Sequence, residues 1–355
     1  MEDFSNNNDM NTNASGDASY YVMKVMELAL TNILAPVITL IGVFSNILTV
    51  FVFIKLGLKD GVTVSLCLLS VFDLIFYLFN LVTLILLLVK KLTGSWSVDP
   101  LTIVLFLVPY HRMFYDLANL VTCYIAVARC CCVVMPLQFK YTFSKYKTWA
   151  VIGVISLFFC AEYFPLFVTQ RLSEQYYPSL NLTKIEIVYS ANRENLVKIL
   201  MDILNRNVLL VLTFLVCFIC LLIITHGLRK ASIFRNSVKT GAESGQKAKS
   251  SKHVTLSTSD LQVIKGIAVV LLVFIACNLP VIVTSMSRLL VPELTVGKRY
   301  NNMYFLVTNI SNFILAVSGS CYWLVHYRFN SRYRRTLLVV LGYRRGTQPV
   351  VASTD

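Results

Sequence analysis

The chain has 355 residues, of which 56% are apolar and only 14% charged, with a mean hydropathy of +0.68. A soluble domain carries about 25% charged residues, so this chain has too little charge to cover a water-soluble globule of its length. The net charge is nonetheless +14, from 32 basic and 18 acidic residues, and the placement of that excess decides what it means.

The first twenty residues are polar, rich in Asn and acidic. They lack the apolar core and cleavage site of a signal peptide, so the first helix is expected to act as the insertion signal. A membrane-crossing helix needs about 20 mostly apolar residues, and seven segments qualify. Leu28 to Ile54 has no charge, and Gly61 to Val89 has only Asp73. Leu101 to about Met135 carries His111, Arg112, Asp116 and Arg129. Thr148 to Val168 has only Glu162, and Asn207 to Leu228 only His226. Gly266 to Ser287 has no ionised side chain, and Tyr300 to about Tyr327 has only His326. These runs are too long and too apolar for core strands. The expected fold is an all-α seven-helix membrane bundle, with residues 1–27 as a tail, 28–327 as the helical domain and 328–355 as a final segment. Within it, residues 229–265 are rich in Ser, Gly and Lys and read as a mostly disordered loop. No internal repeat is visible, which counts against a transporter.

The loops give the orientation. With the N-terminus outside, 20 of the 32 basic residues fall on the cytoplasmic side, offset there only by Asp60, Glu243, Asp260 and Asp355. That side then carries about +16 and the outer side is near neutral, the sense of the positive-inside rule. The excess therefore reads as orientation and as a surface for anionic lipids, and nucleic acid is not an expected partner. Two glycosylation sequons, at Asn13 and Asn181, fall on the outer side. A third, Asn309-Ile-Ser311, lies inside the seventh helix and is unreachable. All ten cysteines lie in helices or near the cytoplasmic face, so no outer disulfide framework can be drawn. The run Cys130-Cys131-Cys132 suits either palmitoylation or packing as small hydrophobes. Cys217-x-x-Cys220 lies in an apolar helix and is not read as a redox motif. No hydrolase, kinase, phosphate-loop or zinc motif is present, so neither an enzyme nor a cofactor is expected.

In a membrane, ionisable side chains are the informative ones. Asp73 must face the bundle interior. Asn46 of the first helix and Ser318 or Ser320 of the seventh are its expected partners. It is either a polar switch, with a sodium ion as a conceivable occupant, or an interhelical hydrogen bond. Arg112 and Arg129 are 17 positions apart, about 25 Å along a helix, near opposite faces. Arg112 and Asp116 are spaced to pair on one face, and His111 and Tyr115 form the adjacent pair. The four residues are expected to line the outer part of the bundle as a ligand pocket, or else to form a self-satisfied ion pair. Pro280 removes a backbone donor from the sixth helix and kinks it.

Seven helices with Asn46, Asp73, Arg129 and Pro280 in order resemble a rhodopsin-like G-protein-coupled receptor. The resemblance spans about Leu28 to Leu341. It rests on Gly42-Val-Phe-Ser-Asn46, Leu69-Ser-Val-Phe-Asp73, Ala128-Arg129-Cys130 with Pro136-Leu137 downstream, Trp149, and Phe274-Ile-Ala-Cys277-Asn278-Leu-Pro280. Tyr333-Arg334-Arg335 fits an amphipathic eighth helix on the membrane surface. A narrower resemblance is to the gastropod chemosensory receptors, through Arg129-Cys-Cys-Cys-Val-Val-Met-Pro-Leu-Gln-Phe-Lys140, Arg299-Tyr-Asn-Asn-Met-Tyr-Phe305 and Tyr327-Arg-Phe-Asn-Ser-Arg-Tyr-Arg334. The resemblance implies a plasma-membrane receptor that binds an extracellular small molecule or peptide and activates a heterotrimeric G protein. The rivals are a ligand-gated channel or transporter, and a receptor-like protein that has lost coupling.

The departures from the pattern are specific. Ala128 stands where the family has an acid before Arg129, and Cys130 where it has Tyr. Asn278 replaces the aromatic before Pro280. No Asn-Pro-x-x-Tyr is present, and its place falls either on Ser318 to Tyr322 or on Tyr322 to His326, the second fitting the eighth helix better. No cysteine pair joins the top of the third helix to the second outer loop. His111 stands where an Asp would mark an amine receptor.

Overall fold

The computed structural model describes residues 21, 24–26, 28–93, 99–135, 138, 141–177, 182–243, 258–294 and 298–343. Among these, seven helices are long and apolar enough to cross a membrane. The first is α1 (Ala35–Leu56), entered through a π-wound turn, Leu30–Leu34. It ends where Gly57 adopts φ +77°, a left-handed conformation open to glycine without a Cβ penalty. The Asp60 carboxylate then accepts from the Thr63 backbone N–H at 2.8 Å and starts α2 (Gly61–Thr93). Helix α3 (Pro100–Val134) has Pro100 in its first turn and Asp99 as its cap, accepting from Leu101 N–H at 2.9 Å. Helix α4 (Lys145–Val168) follows.

The sequence reading places no strand in this chain. The segment after α4 nonetheless forms an antiparallel hairpin, β1 (Gln170–Tyr177) and β2 (Leu182–Tyr189), in register from Gln170↔Tyr189 to Tyr177↔Leu182. It is an addition to the helical bundle. The next helix, α5, begins at Arg193 rather than at Asn207. It is π-wound over Val197–Leu209 and α-helical over Leu210–Glu243. Helix α6 spans Thr258–Leu290 and α7 spans Asn301–Phe329. Helix therefore occupies much of the stretch 229–265 that was expected to be loop, and that expectation now concerns only residues 244–257, outside the described set. Asn13 and Asn181 also lie outside it. Asn309 lies within α7.

Packing closes the bundle. Helix α1 sits between α2 and α7, α6 between α5 and α7, and α3 touches α2, α4, α5 and α6. Large apolar side chains such as Phe44 (67% exposed), Leu157 (71%) and Phe164 (62%) point away from the bundle, as lipid-facing residues do. The final helix, α8 (Ser331–Val340), is amphipathic. Tyr333 and Leu337 are buried against the bundle while Arg332 and Arg335 are exposed. Asn330 caps it, accepting from Tyr333 N–H at 3.1 Å. Tyr333 is fully buried, and its hydroxyl hydrogen-bonds Thr49 of α1 at 3.0 Å. It also lies 5.5 Å from the Phe53 ring and 5.6 Å from the His326 ring.

Candidate functional site

Mid-bundle, α2, α3, α6 and α7 enclose a polar cavity of about 30 Å³, lined by Asp73, Tyr115, Asn119, Asn278, Ser318 and Tyr322 among others. That volume holds a water or two. Asp73 Oδ2 is buried without a hydrogen-bond partner. Ser318 of α7 lines this cavity, as expected, and its hydroxyl is 2.9 Å from that of Tyr322. Asn46 does not join them. Its amide donates back to Gly42 O at 2.9 Å, one turn earlier on its own helix, and it does not line the cavity. Ser320 donates to Val317 O instead.

Tyr77 closes the cavity. It is 1% exposed and donates its hydroxyl to Ala316 O of α7. Its ring fits because two glycines flank it. A Cβ on Gly42 would lie 2.4 Å from the ring, and one on Gly319 2.9 Å from the hydroxyl.

Helix α3 divides its predicted site residues between two sides. His111 stacks on Phe76 of α2, centroids 4.4 Å apart, and its Nε2 is buried without a partner. Tyr115 donates to Asn278 Oδ1 of α6 at 2.8 Å, and Asn278 donates to Phe274 O at 2.9 Å. Arg112 and Asp116 are one position on, about 100° around the helix, and face α4 and α5. No ion pair joins them among the described residues. Asp116 instead accepts from Tyr163 of α4 at 2.5 Å, and Asn205 of α5 donates to the same Tyr163 hydroxyl at 3.3 Å. A tyrosine hydroxyl thus satisfies the carboxylate that the i,i+4 spacing assigns to Arg112. Tyr115 and Asp116 line separate cavities, Tyr115 the one beside Asp73 and Asp116 a smaller one against α4 and α5.

Beyond them, at the hairpin end, α5 and α6 enclose a larger cavity of about 900 Å³. Asp202, Asn207, Ser285 and Arg288 supply its polar wall. Arg288 Nη1 lies 3.2 Å from Asp202 Oδ1, and Arg206 Nη1 lies 3.5 Å from the same oxygen. None of these residues stands out in the sequence, because the apolar run of the fifth helix begins only at Asn207. The available signal was the spacing Lys198, Asp202, Arg206, a charged helical stripe just before that run.

The hairpin is held without a disulfide, and all ten cysteines are free. Arg193, at the start of α5, donates to Leu166 O at 2.6 Å, to Thr169 Oγ1 at 3.1 Å and to Gln170 Oε1 at 2.8 Å. Gln170 in turn donates to Phe106 O of α3 at 2.9 Å.

At the opposite end, Arg129 is 7% exposed between Ala128 and Cys132, both buried. Of the two placements for Asn-Pro-x-x-Tyr, the one over Tyr322 to His326 puts Tyr322 at the Asp73 cavity and His326 edge-on to Phe53, centroids 5.5 Å apart, beside α8. Residues 45–332 match the family described as 7 transmembrane receptor (rhodopsin family). The chain belongs to the rhodopsin family of seven-transmembrane receptors. A search of the curated proteins found no match. As a rhodopsin-family receptor the chain is a multi-pass membrane protein. It departs from the family pattern at Ala128, Cys130, Asn278 and the end of α7. Its Pro280 lies within α6, two positions beyond Asn278. Among the described residues no cluster of His, Cys, Asp and Glu is arranged to hold a metal ion.

Proposed function

We propose that this receptor lies in the plasma membrane with its N-terminus outside, binds an extracellular chemical cue and activates a heterotrimeric G protein. The observation that carries the reading is the family match over residues 45–332. The hairpin end, with its cavity between α5 and α6, is the ligand side. The end carrying Arg129 and α8 is the G-protein side, and its basic surface also meets anionic lipid headgroups. His111, Arg112, Tyr115 and Asp116 form the floor below the ligand. The resemblance to gastropod chemosensory receptors supports a water-borne cue.

The mechanism is two-state. Ligand favours an arrangement in which α6 swings about Pro280, which separates Tyr115 from Asn278 and opens a crevice beside Arg129. A ligand shifts this balance only by its differential affinity for the two states. The Asp73 cavity, with one carboxylate and several hydroxyl and amide oxygens, suits a small cation such as sodium.

The test is expression with a panel of water-borne small molecules and peptides, read by G-protein nucleotide exchange alongside current recording. Ligand-dependent exchange supports the reading. Current or uptake without exchange assigns a channel or transporter. Neither, at normal surface level, assigns a receptor-like protein without coupling, a reading that the altered motifs allow. The missing acid at Ala128 predicts agonist-free exchange above that of an Ala128→Asp variant, and equal rates would sink that idea.

A further inference from the structure

Two guanidinium groups at the hairpin end share one carboxylate oxygen. Arg288 and Arg206 both reach Asp202 Oδ1, each through a single Nη1. An arginine carries five N–H donors in a planar fork that matches a carboxylate with two parallel bonds, and here neither fork is so used on Asp202. Arg288 Nε is buried with no partner, as is Asn207 Oδ1 on the same cavity wall. The Asn207 amide nitrogen is already committed to Asp202 O, five residues earlier, the spacing of the π-wound stretch.

The local charge does not balance. Among the cavity-lining residues, Arg193, Lys198 and Arg288 stand against Glu194 and Asp202 and leave one positive charge. Glu194 and Lys198 are one turn apart and offset each other, and Arg193 bonds the neutral acceptors of the hairpin anchor. The side chains of Asp202, Arg206 and Arg288 retain 29%, 27% and 19% of their exposure. They are open enough to meet a ligand and shielded enough that water screens them poorly. Cations within a membrane protein call for a partner of opposite sign. The wall also carries an apolar part, Val197, Ile203, Leu289 and Pro292, and the volume is in the range of small-molecule sites.

We infer that this cavity takes a ligand with one carboxylate on an apolar body, the carboxylate seated on the Arg288 fork beside Asp202, whose other guanidinium partner, Arg206, lies behind the cavity wall. The inference rests on the receptor reading above and names the chemical class of its ligand. A phosphate dianion would overshoot the single charge, and an uncharged ligand would leave it unmatched.

The test uses the full chain, purified into nanodiscs of zwitterionic phosphatidylcholine. Straight-chain carboxylates from hexanoate to dodecanoate are compared with their primary amides by the shift of the thermal midpoint. Hydrogen bonds to charged groups predict that an acid binds about tenfold to a hundredfold tighter than its amide. Arg288→Gln abolishes the preference, and Arg288→Lys, which keeps the charge and loses the fork, retains part of it. Asp202→Asn removes the competing carboxylate and raises acid affinity, a gain that a misfolded variant cannot mimic. Equal shifts for acid and amide, no shift with any acid of the series, or a preference intact in Arg288→Gln each overturn the assignment. Inorganic phosphate outcompeting the acids also overturns it. G-protein nucleotide exchange is measured in parallel. Acid-selective binding without exchange keeps the carboxylate site and removes the receptor reading, whereas exchange driven equally by acid and amide does the reverse.

Discussion

Tyr115 and Asn278 join α3 to α6 by a 2.8 Å hydrogen bond two residues before Pro280. The bond sits where a kinked helix is free to pivot, and it borders the Asp73 cavity. In Tyr115→Phe, Asn278 Oδ1 loses its donor at a residue only 2% exposed. That costs this arrangement about 1–3 kcal/mol. Agonist-free nucleotide exchange is expected to rise severalfold, with a lower thermal midpoint. Unchanged values of both would remove the bond from the switch.

Gly42 gives the Tyr77 ring its place. A methyl group there meets ring carbons at 2.4–2.6 Å, and the ring cannot retreat without leaving Ala316 O. Gly42→Ala is expected to cost about 1–3 kcal/mol by overpacking. In a Tyr77→Leu background the same substitution costs less. A double-mutant cycle on thermal midpoints checks this, and additive effects would rule it out.

Gln170 is the link between hairpin and bundle, 5% exposed and bonded on both sides. Gln170→Ala removes the partner of Arg193 Nη2 and of Phe106 O and takes away about 1–3 kcal/mol of local stability. Amide hydrogen exchange across residues 170–189 is expected to accelerate while that of α2 stays constant. Equal exchange in both proteins would contradict the anchor.

Tyr333 docks α8. Tyr333→Phe loses only the Thr49 bond, about 0.5–1.5 kcal/mol, whereas Tyr333→Ala empties a fully buried site at about 3–5 kcal/mol, taking Phe→Ala as the guide. Trypsin cleavage after Arg332, Arg334 and Arg335 is expected to be fast in the Ala variant and near wild-type in the Phe variant. Similar rates in the two would show that the ring does not hold the helix.

Asp99 caps α3. The Leu101 N–H and then Lys90, 3.0 Å away, hold its carboxyl below the usual carboxylate range. A lowered folded value means that this stabilisation is present above the unfolded value near pH 4 and is lost as pH falls through the folded value. Because Asp99 is exposed, the effect is local. Hydrogen exchange at Leu101 is expected to separate wild type from Asp99→Ala at neutral pH and to converge with it in acid.

The apolar runs made the seven helices legible, because a span needs nothing but length and hydrophobicity to be recognised. Asp73 and Pro280 were legible for a related reason: a charge or an imino acid within such a run is costly and must have a place. Arg112 and Asp116 were not legible in this way. Their spacing permits a pair, yet Tyr163, 47 positions from Asp116, takes the carboxylate. Asp202 and Arg288 are 86 positions apart, and no local pattern connects them.

The sequence by itself determined the membrane class and the number of spans, both of which follow from one-dimensional hydropathy. The tertiary structure alone decided which polar groups meet. It turned Asn46 back onto Gly42, set Tyr115 and Asp116 on separate cavities, and raised a hairpin held by Arg193. It also set two guanidiniums on one carboxylate beside the large cavity. Those outcomes depend on helix rotation and on contacts between distant segments, which no local periodicity encodes.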